Sequence, residues 1–257
     1  MVSNPKISII TVVFNGEKYL EETIQSVINQ TYDNVEYIII DGSSTDGTID
    51  IIKKYEDKID YWVSEKDSGT YDAMNKGIKI ATGEWINFMN AGDVFYSNDV
   101  LENIFLQTIE KDIQCIYGDV LVDYDKFKLE KKAGKLVDLY KGMQFSHQSL
   151  FVKTTYHKHK KFDLSYKSAA DYNFIYNSYM DNIQFLYIDV IVSKVTNGGV
   201  SDIKRIASVK ESKRIVLSRR NTLPNRLYFY KLFLKILRPL NIPCQSNSDR
   251  RNPITPI

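Results

Sequence analysis

Acidic and amide side chains gather where apolar runs stop in the first hundred residues. Asp41 closes one run, Glu65 and Asp67 follow a second, and Asn90 and Asp93 follow a third. Oxygen donors of this kind, with no arginine near them, suit a hard divalent cation, Mg2+ or Mn2+, whose shell a diphosphate would complete. Asp41 stands where a ligand is read in an open α/β sheet, although a strand-end Asp also serves as a turn cap. No Gly-x-Gly-x-x-Gly follows the first apolar run and no Gly-x-x-x-x-Gly-Lys-Ser/Thr occurs, so dehydrogenase and P-loop readings lose their weight.

These side chains need a sheet to hold them. Residues 7–14 form an almost unbroken β-branched run ending at Asn15-Gly16, after which Tyr19, Leu20, Ile24, Val27 and Ile28 recur at helical spacing, with Asn15 as the expected N-cap. Residues 35–40, 59–64 and 84–89 read as further strands, with helices over 48–56 and from the polar loop 64–77 to Thr82-Gly83, the latter capped by Ser68 or Thr70. The βαβαβ order predicts right-handed crossovers and a parallel sheet. Beyond it the pattern predicts a helix over 99–109, a strand over 115–122, an exposed hairpin or loop over 123–142, and a strand over 146–153. A helix over 166–179, with Asp171 beside its apolar face near its start, and a strand over 185–195 follow. His147 falls in the 146–153 strand, where a lone histidine is usually structural, and His157 and His159 sit in a basic stretch that reads as solvated.

The chain of 257 residues suffices for one large α/β domain, or for a domain with an appendage. It opens without a basic-then-apolar leader, and no apolar run approaches the roughly 20 residues that span a bilayer. Cys115 and Cys244 are too few for a disulfide scaffold and lack metal-ligand spacing, so the expected setting is reducing and cytoplasmic. Charge is divided unevenly. Residues 1–203 carry 21 Lys and no Arg against 30 acids, a net of −9, whereas residues 204–257 carry 13 Lys plus Arg against Glu211 and Asp249, a net of +11. Such asymmetry points to an anionic partner for the tail or to docking on the acidic body.

Residues 7–15, Gln30-Thr31-Tyr32, Glu36 through Thr48, Ser64 to Gly77 and Asn87 to Asp93 together resemble family 2 glycosyltransferases of the GT-A fold, in order and spacing over about 200 residues. The resemblance implies an α/β fold with a mixed, mostly parallel sheet flanked by helices: a catalytic domain over 1–203, its nucleotide-binding half near 1–110 and acceptor half near 111–203. It leaves uncovered the tail over 204–257, which the residue pattern itself reads as basic and helical. It implies that Asp41 accepts from the uracil of a UDP-sugar and that Val12, Phe14 and Asn15 flank base and ribose. Phe14 stands where the family usually has Tyr, which keeps stacking and loses a hydroxyl. Asp67, Tyr71, Asn75, Asn90 and Gly92 would border the donor. The family's Asp-x-Asp metal motif falls on Ala91-Gly92-Asp93, leaving Asp93 as the principal ligand for Mg2+ or Mn2+. Asp171, with Ala170 where a Glu often precedes it, matches the position of the catalytic base. His147 and Gln148 would line the acceptor site or reach the metal, and Gly198-Gly199 resembles a loop near the diphosphate.

The expectation is therefore an inverting transferase moving a hexose from a nucleotide sugar to a lipid-linked or polysaccharide acceptor in bacterial-type cell-surface glycan synthesis, with no nucleic-acid partner. A non-catalytic nucleotide-sugar-binding relative is the alternative, prompted by the eroded metal motif. In the tail, Lys231, Lys235 and Arg238 share one face of a helix over 224–238 whose remainder is apolar. That composition suits the inner face of the cytoplasmic membrane, or packing on the catalytic body. A third expectation folds Arg205 or Arg214 back towards the diphosphate.

Overall fold

The computed structural model describes residues 4–124, 126–196 and 205–237. In β1 (Ile7–Val13) successive side chains alternate between two apolar layers. Ile7, Ile9 and Val13 meet α1 (Leu20–Ile28) through Leu20 and Ile24, whereas Ile10 and Val12 meet the layer on the far side of the sheet. Covering both faces is what makes such a strand read as a continuous hydrophobic run. β2 (Val35–Asp41), α2 (Thr48–Lys54), β3 (Tyr61–Ser64), α3 (Thr70–Ile80) and β4 (Trp85–Phe88) continue the pattern, and all four strands run parallel. At Gly77 a Cβ would lie 2.6 Å from Ile10 Cγ2, so α3 rests directly on β1.

The second part of the chain completes the sheet by insertion. After β5 (Val94–Phe95) and α4 (Val100–Phe105) come the long β6 (Ile113–Asp123), the hairpin strand β7 (Lys128–Lys131) and β8 (Leu150–Lys153). These are followed by α5 (Thr154–His159), α6 (Ala170–Met180) and β9 (Gln184–Thr196). The order is β3-β2-β1-β4-β8-β6-β9-β5, with β7 beside β6. β8 enters antiparallel to both β4 and β6, so the residues just before β8 lie beside those just after β4. Buried Asn87 fastens this junction, donating through Nδ2 to the carbonyls of Gln148 at 2.9 Å and Leu150 at 3.0 Å.

Several expected boundaries shift for local reasons. Asn15 is not the cap of α1: the Gly16 carbonyl takes the amides of Tyr19 and Leu20, and α1 starts only at Leu20. The expected strand over 146–153 begins at Leu150, because His147–Ser149 form a 3-10 turn. α6 starts at Ala170 rather than 166, and the Lys167 and Ser168 amides ahead of it donate to the Glu211 carboxylate. His157 is buried, not solvated: it stacks on Phe174 at 4.4 Å and meets Phe162 edge-on, and burial lowers its pKa to about 4.

α7 (Arg205–Arg219) and α8 (Leu223–Leu237) pack on the body. Ile215, Val216 and Phe229 are buried in the same core as the apolar face of α6, each contributing about 2 kcal/mol. Arg214 stacks on Tyr166 at 4.0 Å, which accounts for its guanidinium without a diphosphate. Gly198-Gly199, the Arg205 side chain and Arg238 lie outside the described residues. No described helix is long and apolar enough to cross a membrane.

Candidate active site

The carboxyl ends of β1 and β2 carry the first group of expected site residues. Asp41 is fully buried and its carboxylate is occupied by protein donors: the Ser44 amide at 3.0 Å, the Ser44 hydroxyl at 2.5 Å and the Ser64 hydroxyl at 2.6 Å. Asn15, at φ 51°, ties the first loop to the second: its side-chain oxygen accepts the Thr45 amide at 2.9 Å and its own amide donates to Ser44 Oγ at 2.7 Å. Phe14 is exposed beside this tie, while Val12 is buried. Asp67 lies against Gly42, where a Cβ would come within 2.6 Å of Asp67 Oδ2, and it accepts the Gly69 amide at 2.8 Å. Phe14, Gly42 and Asp67 thus share one corner, with Asp41 beneath.

The second group forms where β4, β8, α3 and α6 meet. Asp171, in the first turn of α6, accepts on Oδ1 from the Tyr71 hydroxyl at 2.9 Å and the Tyr172 amide at 2.8 Å, while His147 Nδ1 lies 3.2 Å from Oδ2. On the ring's other side, Asn90 Nδ2 stands 3.1 Å from His147 Nε2. A neutral ring accepts there, and a protonated ring requires the Asn90 amide turned to present its oxygen. Asn90 Oδ1 is buried without a hydrogen-bond partner. Asp93, three residues on, accepts from Gln148 Nε2 at 2.6 Å. The turn between them is held from α1, where Thr23 Oγ1 meets the Gly92 amide at 3.0 Å and the Asp93 carbonyl at 2.8 Å. Gly92 has φ 100°, which a residue with a side chain rarely adopts.

Charge is unevenly settled in this cluster. Burial pushes Asp93 up to about 6, against the opposing pull of Gln148 and the charge of His147. Burial also opposes charging of Asp171, but His147, Tyr71 and the Tyr172 amide together hold its carboxyl below the usual range. Burial works against a charged His147 as well, yet the neighbouring Asp171, with Asp93 further off, carries its pKa above the ordinary value. Burial, then the charge of Asp171, pushes the Tyr71 phenol well up. The pair His147 and Asp171 therefore favours the ionised form of both partners.

Among the described residues no three His, Cys, Asp or Glu side chains converge to hold a metal on their own. Asp93 is a single carboxylate with one oxygen left over from Gln148. One carboxylate fits a cation of the Mg2+ type, which takes one or two protein carboxylates and completes its shell with substrate phosphates and water. Glu65 is not part of the set, since it pairs with Lys76 at 2.8 Å on the surface. Asn75 spends both ends of its amide on the Phe162 backbone, at 2.9 and 3.0 Å, and so braces α3. Neither Ser68 nor Thr70 caps α3, whose N-cap is Gly69. Residues that sequence reasoning passed over are Ser44, Ser64 and Thr23. The two serines lie within the quoted motifs, whereas nothing local marks Thr23.

The model of the family described as Glycosyl transferase family 2 matches residues 8–173. An uncharacterised glycosyltransferase of Mycobacterium tuberculosis is 36% identical over 188 residues, covering 68% of this chain and 69% of its own. A PGL/p-HBAD biosynthesis glycosyltransferase of Mycobacterium bovis is 29% identical over 227 residues, covering 84% and 86%. Among solved structures, S. aureus TarS in complex with UDP superposes with a TM-score of 0.66 at 20% identity, covering 89% of this chain and 70% of that one. A mannosyltransferase from Pyrobaculum calidifontis in complex with GDP-Man and Mn2+ gives 0.66 at 15% identity, covering 91% and 70%.

Proposed function

This chain belongs to glycosyl transferase family 2 and is a glycosyltransferase of the GT-A fold, and from that premise we propose that it moves a hexose, with inversion, from a UDP-sugar to a hydroxyl of a lipid-linked or polysaccharide acceptor. The observation that carries the proposal is the convergence of Tyr71, His147 and the Tyr172 amide on the Asp171 carboxylate, with Asp93 held by Gln148, the residue that follows His147. Three donors on one carboxylate keep it ionised and fix its direction. Oδ2, which takes a single donor, retains a lone pair for the acceptor's proton.

In this reading the acceptor hydroxyl gives its proton to Asp171 as its oxygen bonds to the anomeric carbon. The bond from that carbon to the diphosphate breaks on the opposite face, which inverts the configuration. Asp93 would hold a Mg2+ or Mn2+ ion, and the ion would supply positive charge to the departing diphosphate. Phe14 offers a face for the base and Asp67 borders the same corner, while Asp41 sets the shape of the loop beneath. Complexes of similar structures with UDP and with GDP-Man support a nucleotide-sugar donor.

A second reading is a binding protein without turnover, favoured by Ala91 in the metal motif and by the hold of Gln148 on Asp93. Two measurements separate the readings: thermal stabilisation by UDP-, GDP- and dTDP-sugars with and without Mn2+, and release of free nucleotide. Transfer predicts stabilisation by one donor class together with Mn2+-dependent release that Asp171→Asn abolishes. Stabilisation without release leaves the binding reading, and full activity in both Asp93→Ala and Asp171→Asn overturns the site.

A further inference from the structure

α8 uses only one of its faces for the body. Asn225 and Phe229 are buried, and the Tyr228 hydroxyl reaches the Lys141 carbonyl at 2.6 Å. On the other side Leu223, Leu227, Tyr230 and Leu234 are 69%, 47%, 62% and 42% exposed. Steps of four, three and four residues stack these four side chains into a single stripe along the helix. The stripe is rimmed by cations, Arg226 on one side and Lys231 and Lys235 on the other, all exposed. No acidic residue occurs between Glu211 and Asp249, so nothing on α8 offsets that charge.

An apolar stripe edged with lysine and arginine matches a surface that is negatively charged outside and apolar a few ångströms within. We infer that the outer face of α8 docks on an anionic lipid bilayer, with the helix lying in the plane of the headgroups. The charge division supports that occupant: residues 204–257 carry a net of +11 and residues 1–203 a net of −9, so an anionic surface attracts the tail and repels the body, which orients the protein. The inference stands apart from the transfer reading, because its test uses no donor sugar.

Truncating the tail is the wrong test, since Glu211 of α7 holds the Lys167 and Ser168 amides ahead of α6 and Ile215 and Val216 are core. The full-length protein is instead floated with vesicles of phosphatidylcholine alone and with about 30% phosphatidylglycerol added. The bound fraction should rise about tenfold or more with the anionic lipid, and fall as salt rises. It should drop about tenfold in Leu227→Glu with Tyr230→Glu, with an unchanged circular dichroism spectrum. Lys231→Gln with Lys235→Gln keeps the stripe and should lose most of the preference for anionic lipid, which reads the same surface should the first variant misfold. Failure of the wild type to float with anionic vesicles, or equal flotation of both variants, overturns the inference. A dimer seen by light scattering that these substitutions dissolve, with no vesicle binding, assigns the stripe to a second copy instead.

Discussion

The loops after β1 and β2 and the cluster where β4, β8 and α6 meet lie along one edge of the sheet, yet their polar groups are settled in different ways. In the first region the protein answers its own acceptors: Asp41 takes Ser44 and Ser64, Asn15 takes Thr45, and Asp46 takes the Glu17 and Thr48 amides. In the second, capacity is left over. Whichever end of its amide Asn90 turns to His147, the other end is buried without a partner, Asp93 is pushed to about 6, and His147 and Asp171 are displaced in opposite directions by each other. Buried polar groups that are fully paired make a rigid frame, while perturbed ones in contact mark where chemistry is placed. The first region holds a shape; the second holds charge.

Substitutions can break this contrast, beginning with the largest effect. Asp171→Asn should lower turnover by about a thousandfold while leaving nucleotide binding by calorimetry within about threefold. Loss of binding in step with turnover would make Asp171 part of the frame. Asp93 gives a stability test. Its raised value means that the folded state prefers the protonated acid, so its contribution is full below about pH 4, the unfolded value, and is lost as pH rises through about 6. Without divalent cation, Asp93→Asn should therefore gain on the wild type by on the order of 2 kcal/mol between about pH 4 and pH 7, read from denaturant midpoints. A gap that does not change with pH would show that Asp93 ionises freely.

His147→Gln should cost about tenfold in kcat with the donor KM unchanged. Removing the imidazolium also lets the Asp171 pKa rise, so the acid limb of the pH profile moves to higher pH; a merely structural His147 would lower stability and leave the limb in place. Ser64→Ala has the smallest expected effect: one of three donors to Asp41 is lost, for about 1 kcal/mol of stability, with turnover within about twofold of wild type. A large loss of turnover there would mean that the first region takes part in chemistry after all.

The parallel half of the sheet was legible because β1, β2 and β4 are apolar on both faces and stop at turn residues, and the quoted motifs carried the family and the GT-A fold. Asp171 was legible as a carboxylate at a helix start. Its partner was not. The contact between His147 and Asp171 depends on β8 entering antiparallel and on a 3-10 turn in place of the first strand residues, and both follow from pairing across the chain rather than from local pattern. His157 misled for a related reason. Its Lys-rich neighbours read as solvent-facing, but a short helix turns that one side chain under Phe88, Phe162 and Phe174. In the tail, the apolar remainder of α8 was visible, whereas its division between a docked and an open face needed the body to be in place.

The late arrival of β8 also bears on how the protein is made. β4 is four residues long and wholly buried, and until β8 has been synthesised it is a bare apolar edge on the half-sheet already built. Edges of that kind pair with whatever strand they meet, including those of another nascent chain. Asn87, in the middle of β4, counts against such mispairing: its side-chain donor is satisfied by carbonyls 61 and 63 residues further on, and a foreign strand that fails to offer them leaves that donor stranded in the core. The residue that fastens the two halves of the site is thus also a checkpoint on the newborn chain, favouring the pairing that places His147 beside Asp171.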